Sequence, residues 1–155
     1  MRTPWIDENL AAAEIDILLV QDNHADADLA MRALVKGGIG ASIRWVQDGV
    51  EALDFVNGTG DFTARNSDDL PKLVLLDLKM PRLDGFDVLR ALKGNARTRA
   101  IPVVVLTSSN RSRDVAECYR MGANSYVTKP IDVDALATII VQVVTYWLNV
   151  NQTPT

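Results

Sequence analysis

Five short, mostly apolar runs punctuate this chain, and a stretch with helical periodicity follows each one. They are IDILLV at 15–20, SIRWV at 42–46, LVLL at 73–76, IPVVVL at 101–106 and SYVT at 125–128. Short, near-continuous apolar runs suit strands covered on both faces. Strand and helix alternating five times specifies an α/β domain, doubly wound, with a five-stranded parallel sheet between two helical layers. The 155 residues suffice for one such domain, and 48% hydrophobic content gives it a core without disulfides or metal staples. Cys118 is the only cysteine, so no internal disulfide can form, and packing is its expected role.

The helices carry their own punctuation. Asn23 is placed to cap the first, with Asp26 three residues on and a buried stripe of Leu29, Ala30, Ala33 and Leu34 before Gly37-Gly38. Gly49 to Val56 reads as the second, with Ala52, Leu53 and Val56 inward. Asp84 caps the third, with Asp87 at the capping-box position. The fourth runs from about Arg111 to Gly122, and the last from about Val133 to Val150. Between Asn57 and Pro71 the composition turns polar, and this long loop is expected to meet a partner. The expected organisation is a leader at 1–13, a domain at 14–150 and a tail at 151–155.

Twenty acidic against sixteen basic residues leave a mildly acidic surface, which argues against direct nucleic-acid binding. No signal-peptide core opens the sequence, and no uninterrupted apolar run has membrane-spanning length. A soluble, cytoplasmic protein is expected.

In an open parallel sheet the reactive crevice lies beyond the carboxyl ends of the strands, where strand order reverses. The expected strands end in Gln21-Asp22, Asp77, Thr107-Ser108 and Thr128-Lys129. A lone Asp after a strand is usually a helix cap. Two carboxylates, hydroxyls and an ammonium at four strand ends are a site. Clustered carboxylates invite a hard cation, and Mg2+ takes a few oxygen ligands plus waters. A carboxylate so placed attacks a phosphoryl group to form an acyl phosphate. Lys129, Thr107 and Mg2+ then match the phosphoryl oxygens.

The motifs ILLVQDN, LVLLDLKMPRLDG, VVVLTSS and SYVTKP, in that order, resemble the receiver domain of two-component response regulators from about Ile15 to Val150. The resemblance implies a flavodoxin-like strand order of 2-1-3-4-5. It implies that Asp77 accepts phosphate from a sensor histidine kinase, with Mg2+ held by Asp22, Asp77 and the backbone carbonyl of Lys79. Thr107 and Ser108 match the phosphate contacts and Lys129 the phosphate-binding lysine. Tyr126 matches the aromatic that moves with Thr107 in the switch, and the bond before Pro130 matches a cis peptide. Such a protein is not an enzyme beyond slow self-catalysed phosphorylation and dephosphorylation.

The pattern breaks at Gln21, where the family usually has a second acid. Gln21 keeps a water-mediated metal contact but not the charge, so weaker Mg2+ binding is expected. Lys79 adds a cation near the mouth of the site, read either as a shield or as a solvated lysine. His24, the only histidine, lacks the partners of a metal site and reads as a solvated residue.

Only 25 residues follow Pro130, so output is expected from the domain's own surface. No charged residue occurs from Ala135 to Thr155. Leu136, Ile139, Ile140, Val143, Val144, Trp147 and Leu148 make a stripe that a sheet can bury, while Val141, Tyr146 and Val150 widen it. Surplus apolar surface marks an interface, here a homodimer through the C-terminal helix. The long loop and apolar last helix resemble single-domain regulators of phytochrome-type photoreceptor kinases.

Three other readings compete. An aspartyl-nucleophile hydrolase needs a second Asp two residues after the nucleophile, where Lys79 stands. A flavin domain needs a phosphate-cradling loop after the first strand, which is absent. A pseudo-receiver that docks without phosphorylation is motivated by Gln21.

Overall fold

Continuous apolar runs became strands hidden along their whole length. In the computed structural model, which describes residues 15–153, β1 (Ile17–Val20), β3 (Leu73–Leu76) and β4 (Val103–Thr107) are buried at every position. The edge strands, β2 (Ile43–Val46) and β5 (Ser125–Thr128), are only partly covered. All pair in parallel in the order β2-β1-β3-β4-β5, as the resemblance implies. Val20 lies opposite Val46 on one side and Leu76 on the other, so the ends of β1 and β3 are level where strand order reverses. The leader expected at 1–13 lies outside the described residues.

Alternate residues of each strand feed two cores. On one face Leu18, Val20, Val74, Leu76, Val103 and Val105 pack under α2 (Gly49–Asn57), α3 (Gly85–Lys93) and α4 (Ser112–Arg120). On the other, Ile17, Leu19, Leu73, Leu75, Val104 and Leu106 pack under α1 (His24–Lys36) and α5 (Val133–Thr145). A π turn, Tyr146–Val150, prolongs α5. Among the described residues one helix, Val133–Val150, has the length and composition to cross a membrane. Here its Leu136, Ile140 and Val144 are core residues covering the sheet. Val143, Trp147 and Leu148 pack beside them, whereas Ile139, expected in the stripe, stays outside both cores.

Local chemistry sets the element ends. Asn23, Asp48, Asp84 and Asp132 each cap a helix by accepting a backbone N–H three residues on. The capping box of Asp84 and Asp87 is complete in both directions. β4 begins two residues later than expected because Pro102 has no N–H for the ladder, and only its carbonyl joins, accepting from Val74.

Two expectations need correction. Residues 57–71 are not simply a polar loop, for Gly60–Phe62 forms a 3-10 turn that buries Phe62 edge-on against Phe55, 5.2 Å between ring centres. Arg65 is also buried, its guanidinium 3.8 Å over the Phe55 ring and donating to the Phe55 carbonyl. The bond before Pro130 is trans, the form an X-Pro bond adopts by default, and no cis peptide occurs among the described residues.

Candidate functional site

The end of β3 delivers Asp77 to the switch point, its N–H donating to the Val20 carbonyl at 3.1 Å. The end of β5 delivers Lys129, whose N–H donates to the Thr107 carbonyl at 2.7 Å. The side chains then meet, Lys129 Nζ lying 3.1 Å from Asp77 Oδ2. Both are well covered, with side chains 9% and 13% exposed. Asp77 Oδ1 takes only a long 3.4 Å bond, from the Lys79 N–H, among the described residues. Thr107 is buried at the end of β4, and its hydroxyl accepts weakly from the Ser109 N–H at 3.5 Å. Ser108 and the Lys79 side chain are exposed.

Packing at Asp77 is tight. Gly85 donates to the Leu78 carbonyl at 2.8 Å, and any Cβ on it would overlap the Asp77 carbonyl and Leu78 Cα. A glycine is therefore required where α3 passes under the acidic strand end.

Gln21 stands at the end of β1, where a water-mediated metal contact is expected of it. It is buried at 4% exposure, and its amide oxygen accepts the Asn23 N–H at 3.0 Å. That oxygen is engaged in the β1–α1 turn and keeps one lone pair for a water. The neighbouring indole of Trp45 donates to the Gln21 carbonyl at 2.7 Å, and His24 sets its exposed ring edge-on to Trp45. Asp22 is exposed at the same strand end and has no hydrogen-bond partner among the described residues.

Sequence reasoning missed two carboxylates. Asp26, read as part of a cap, places Oδ2 at 3.0 Å from Lys129 Nζ. Asp114 organises the β4–α4 loop, accepting from the Ser109 hydroxyl at 2.6 Å and from Arg111. The Ser109 bond, aided by Arg111, holds the Asp114 carboxyl below its ordinary range against its burial. Tyr126, half-buried on β5, donates its hydroxyl to the Ser109 carbonyl at 2.8 Å. Burial pushes its phenol above the ordinary value, only partly offset by that bond. The signal for Asp26 was its place four residues after Asp22, on the helix face beside the strand end. Asp114 left no sequence signal beyond an acid in a first turn.

The donor set fits a hard divalent cation. Asp22 and Asp77 Oδ1 are open carboxylate oxygens on adjacent strand ends, as Mg2+ requires when it keeps most of its waters. No group of three or more His, Cys, Asp or Glu able to close around a metal exists among the described residues, unlike a structural zinc site.

A flavodoxin-like sheet with a carboxylate and an ammonium facing each other beyond its switch point defines a doubly wound domain with an acidic edge site. Residues 17–141 match the family described as response regulator receiver domain, and the chain belongs to that family. It is 41% identical over 138 residues to the probable methanogenesis regulatory protein FilR2 of Methanothrix harundinacea (strain 6Ac), covering 89% of this chain and 86% of the relative. It is 35% identical over 132 residues to response regulator Rcp1 of Synechocystis sp., covering 85% and 88%. Among solved structures, the phosphorylated cyanobacterial phytochrome response regulator RcpA superposes with a TM-score of 0.85 at 33% identity, over 92% of this chain and all of that one. The Mn2+-bound form of Rcp1 gives 0.84 at 33% identity, over 91% and 99%. The chain is thus a receiver-domain response regulator of two-component systems, a signalling module with phytochrome response regulators among its relatives.

Proposed function

We propose that the chain is a single-domain response regulator that accepts a phosphoryl group on Asp77 from a sensor histidine kinase. The observation that carries this is the pairing of Asp77 Oδ2 with a covered Lys129 ammonium while Oδ1 stays open. In the transfer Oδ1 bonds to phosphorus, the bond from phosphorus to the kinase histidine nitrogen breaks, and that nitrogen keeps the electron pair. Lys129 then donates to phosphoryl oxygens, and the Thr107 hydroxyl and the Ser108 backbone are the neighbouring donors. Asp22, Asp77 and the Lys79 carbonyl would hold Mg2+, which when bound neutralises charge on the phosphoryl oxygens. The Mn2+-bound structure of Rcp1 supports a divalent cation here.

Loss of the Thr107 hydroxyl's weak bond to Ser109 frees it to turn toward the phosphate. Tyr126, tied to the same Ser109, transmits the change to the α4–β5–α5 face. The phytochrome regulators among the relatives support a phytochrome-type photoreceptor kinase as donor. Output then leaves through protein contacts, a homodimer through α5 among them.

Incubation with Mg2+ and a small phosphoryl donor, followed by assay for an acid-stable, base-labile adduct, tests the reading. The adduct is expected in the wild type and absent in Asp77→Asn. No adduct on a folded wild type leaves a docking module that works without phosphorylation.

A further inference from the structure

The first turn of α1 brings a third carboxylate to the sheet edge. Lys129 Nζ lies 3.0 Å from Asp26 Oδ2 and 3.1 Å from Asp77 Oδ2, so one ammonium bridges two anions. The lysine side chain is 9% exposed, against 37% for Asp26. A lysine carries a point charge on a flexible four-carbon stem, and one carboxylate leaves its direction loosely defined. A second charge-assisted bond to another carboxylate fixes where the nitrogen sits.

The turn before α1 explains why Asp26 is free to do this. An acid three residues after a cap ordinarily reaches back to the cap's N–H. Here the Asn23 N–H is taken by the Gln21 amide oxygen at 3.0 Å, while Asn23 Oδ1 accepts the Asp26 N–H at 3.0 Å. Gln21 therefore removes one negative charge from the end of β1. By completing the cap it also releases Asp26, which returns one charge on the lysine side.

We propose that Asp26 is a positioning residue for phosphoryl transfer, acting through Lys129, which it holds against Asp77 from the first turn of α1. The inference rests on Asp77 being the phosphoryl acceptor. It goes further in giving a role to a residue outside the aspartate, hydroxyl and lysine set. Asn at 26 keeps the size and can still accept a hydrogen bond, but it lacks the charge that orients the ammonium. Glu keeps the charge on a longer arm.

The test is the rate of adduct formation from phosphoramidate at Mg2+ saturating for each variant, with folding verified by circular dichroism. Asp26→Asn is expected to react about tenfold more slowly and Asp26→Glu to stay within about threefold of wild type. In a Lys129→Ala background, followed over long incubations, Asp26→Asn is expected to change the residual rate by less than about twofold, because its effect runs through the missing ammonium. A metal-free measurement stands beside these. In protein with isotope-labelled lysine, a slowly exchanging Lys129 ammonium resonance is expected in wild type and Asp26→Glu and should vanish in Asp26→Asn. A wild type that forms no adduct overturns the acceptor reading and the inference together. A reactive wild type with Asp26→Asn at the same or a higher rate, the same loss repeated without Lys129, or an ammonium signal indifferent to Asp26, overturns the role of Asp26 alone.

Discussion

Arg82 clasps Asp48 in a bidentate pair, Nε to Oδ2 and Nη2 to Oδ1, both at 3.0 Å. The pair ties the turn after β3 to the start of α2, where Asp48 is the N-cap and accepts the Glu51 N–H at 2.8 Å. It also holds Arg82 in the left-handed region, φ 66°, a conformation an arginine rarely adopts unaided. Asp48→Ala is expected to cost about 1 kcal/mol through the cap alone. Burial pushes the Asp48 carboxyl up, but the Arg82 pair and backbone N–H groups outweigh it and hold it below the ordinary value. A depressed carboxyl contributes stability above its unfolded value near 3.8 and loses it as pH falls through the folded value. Urea melts of wild type and Asp48→Ala should therefore differ most at neutral pH and converge in acid. A gap that widens in acid would contradict this.

Gly85 lies against Asp77, the proposed acceptor, with no room for a methyl group beside the Asp77 carbonyl. Gly85→Ala must shift either α3 or the end of β3. A loss of about 1–3 kcal/mol in a urea melt is expected, the usual range for overpacking. Adduct formation at Asp77 should fall as well, even where the variant remains folded.

Cys118 is fully buried on the inner face of α4, and burial, with Asp114 and Glu117 nearby, pushes its thiol up to about 11. The thiolate is the reactive form, so a thiol reagent at neutral pH should label native protein only as fast as the chain opens. Labelling should be rapid in urea. Fast labelling of the native state would show that α4 opens far more readily than its packing indicates.

The sheet was legible because continuous apolar runs have no other economical place in an α/β domain. LVLL and SYVT became β3 and β5 with the expected bounds. The strand-end residues followed from topology, since parallel strands deliver their carboxyl ends to one edge. Contacts between side chains distant in sequence were not legible. Asp26 and Lys129 are 103 residues apart, and a capping acid looks the same whether or not a distant lysine waits for it. The polar segment before β3 misled for a similar reason, since composition registered its Asn, Gly and Asp residues while Phe62 and Arg65 decided its packing.

Gln21 offers a direct test of the charge missing from the end of β1. A carboxylate there can still accept the Asn23 N–H, so Gln21→Glu should leave the α1 cap intact. An added anion about 5 Å from a dication attracts it by several kcal/mol at an effective dielectric of about 20, before desolvation and salt are subtracted. Calorimetric titration should show Gln21→Glu binding Mg2+ at least about threefold more tightly than wild type. Equal affinities would mean that position 21 does not contribute to the metal's field.

The surface of α5 bears on assembly. Val133, Tyr146 and Val150 are exposed on this helix at 59%, 48% and 62%, and Ile131 just before it is fully exposed. Tyr146 and Trp147 set their rings edge to face, 5.2 Å between centres, at the solvent end. With no charge from Ala135 onward, nothing on this segment repels a second copy. Burying such side chains across a two-fold axis removes apolar area from water, the main favourable term in association. Light scattering at tens of micromolar should therefore give a dimer mass, and Tyr146→Glu with Val150→Glu should give a monomer. Both substitutions fall on exposed positions, so the double variant should retain the wild-type fold by circular dichroism. A wild type that stays monomeric with and without a phosphoryl mimic would remove α5 from the assembly and leave its apolar face to a different protein.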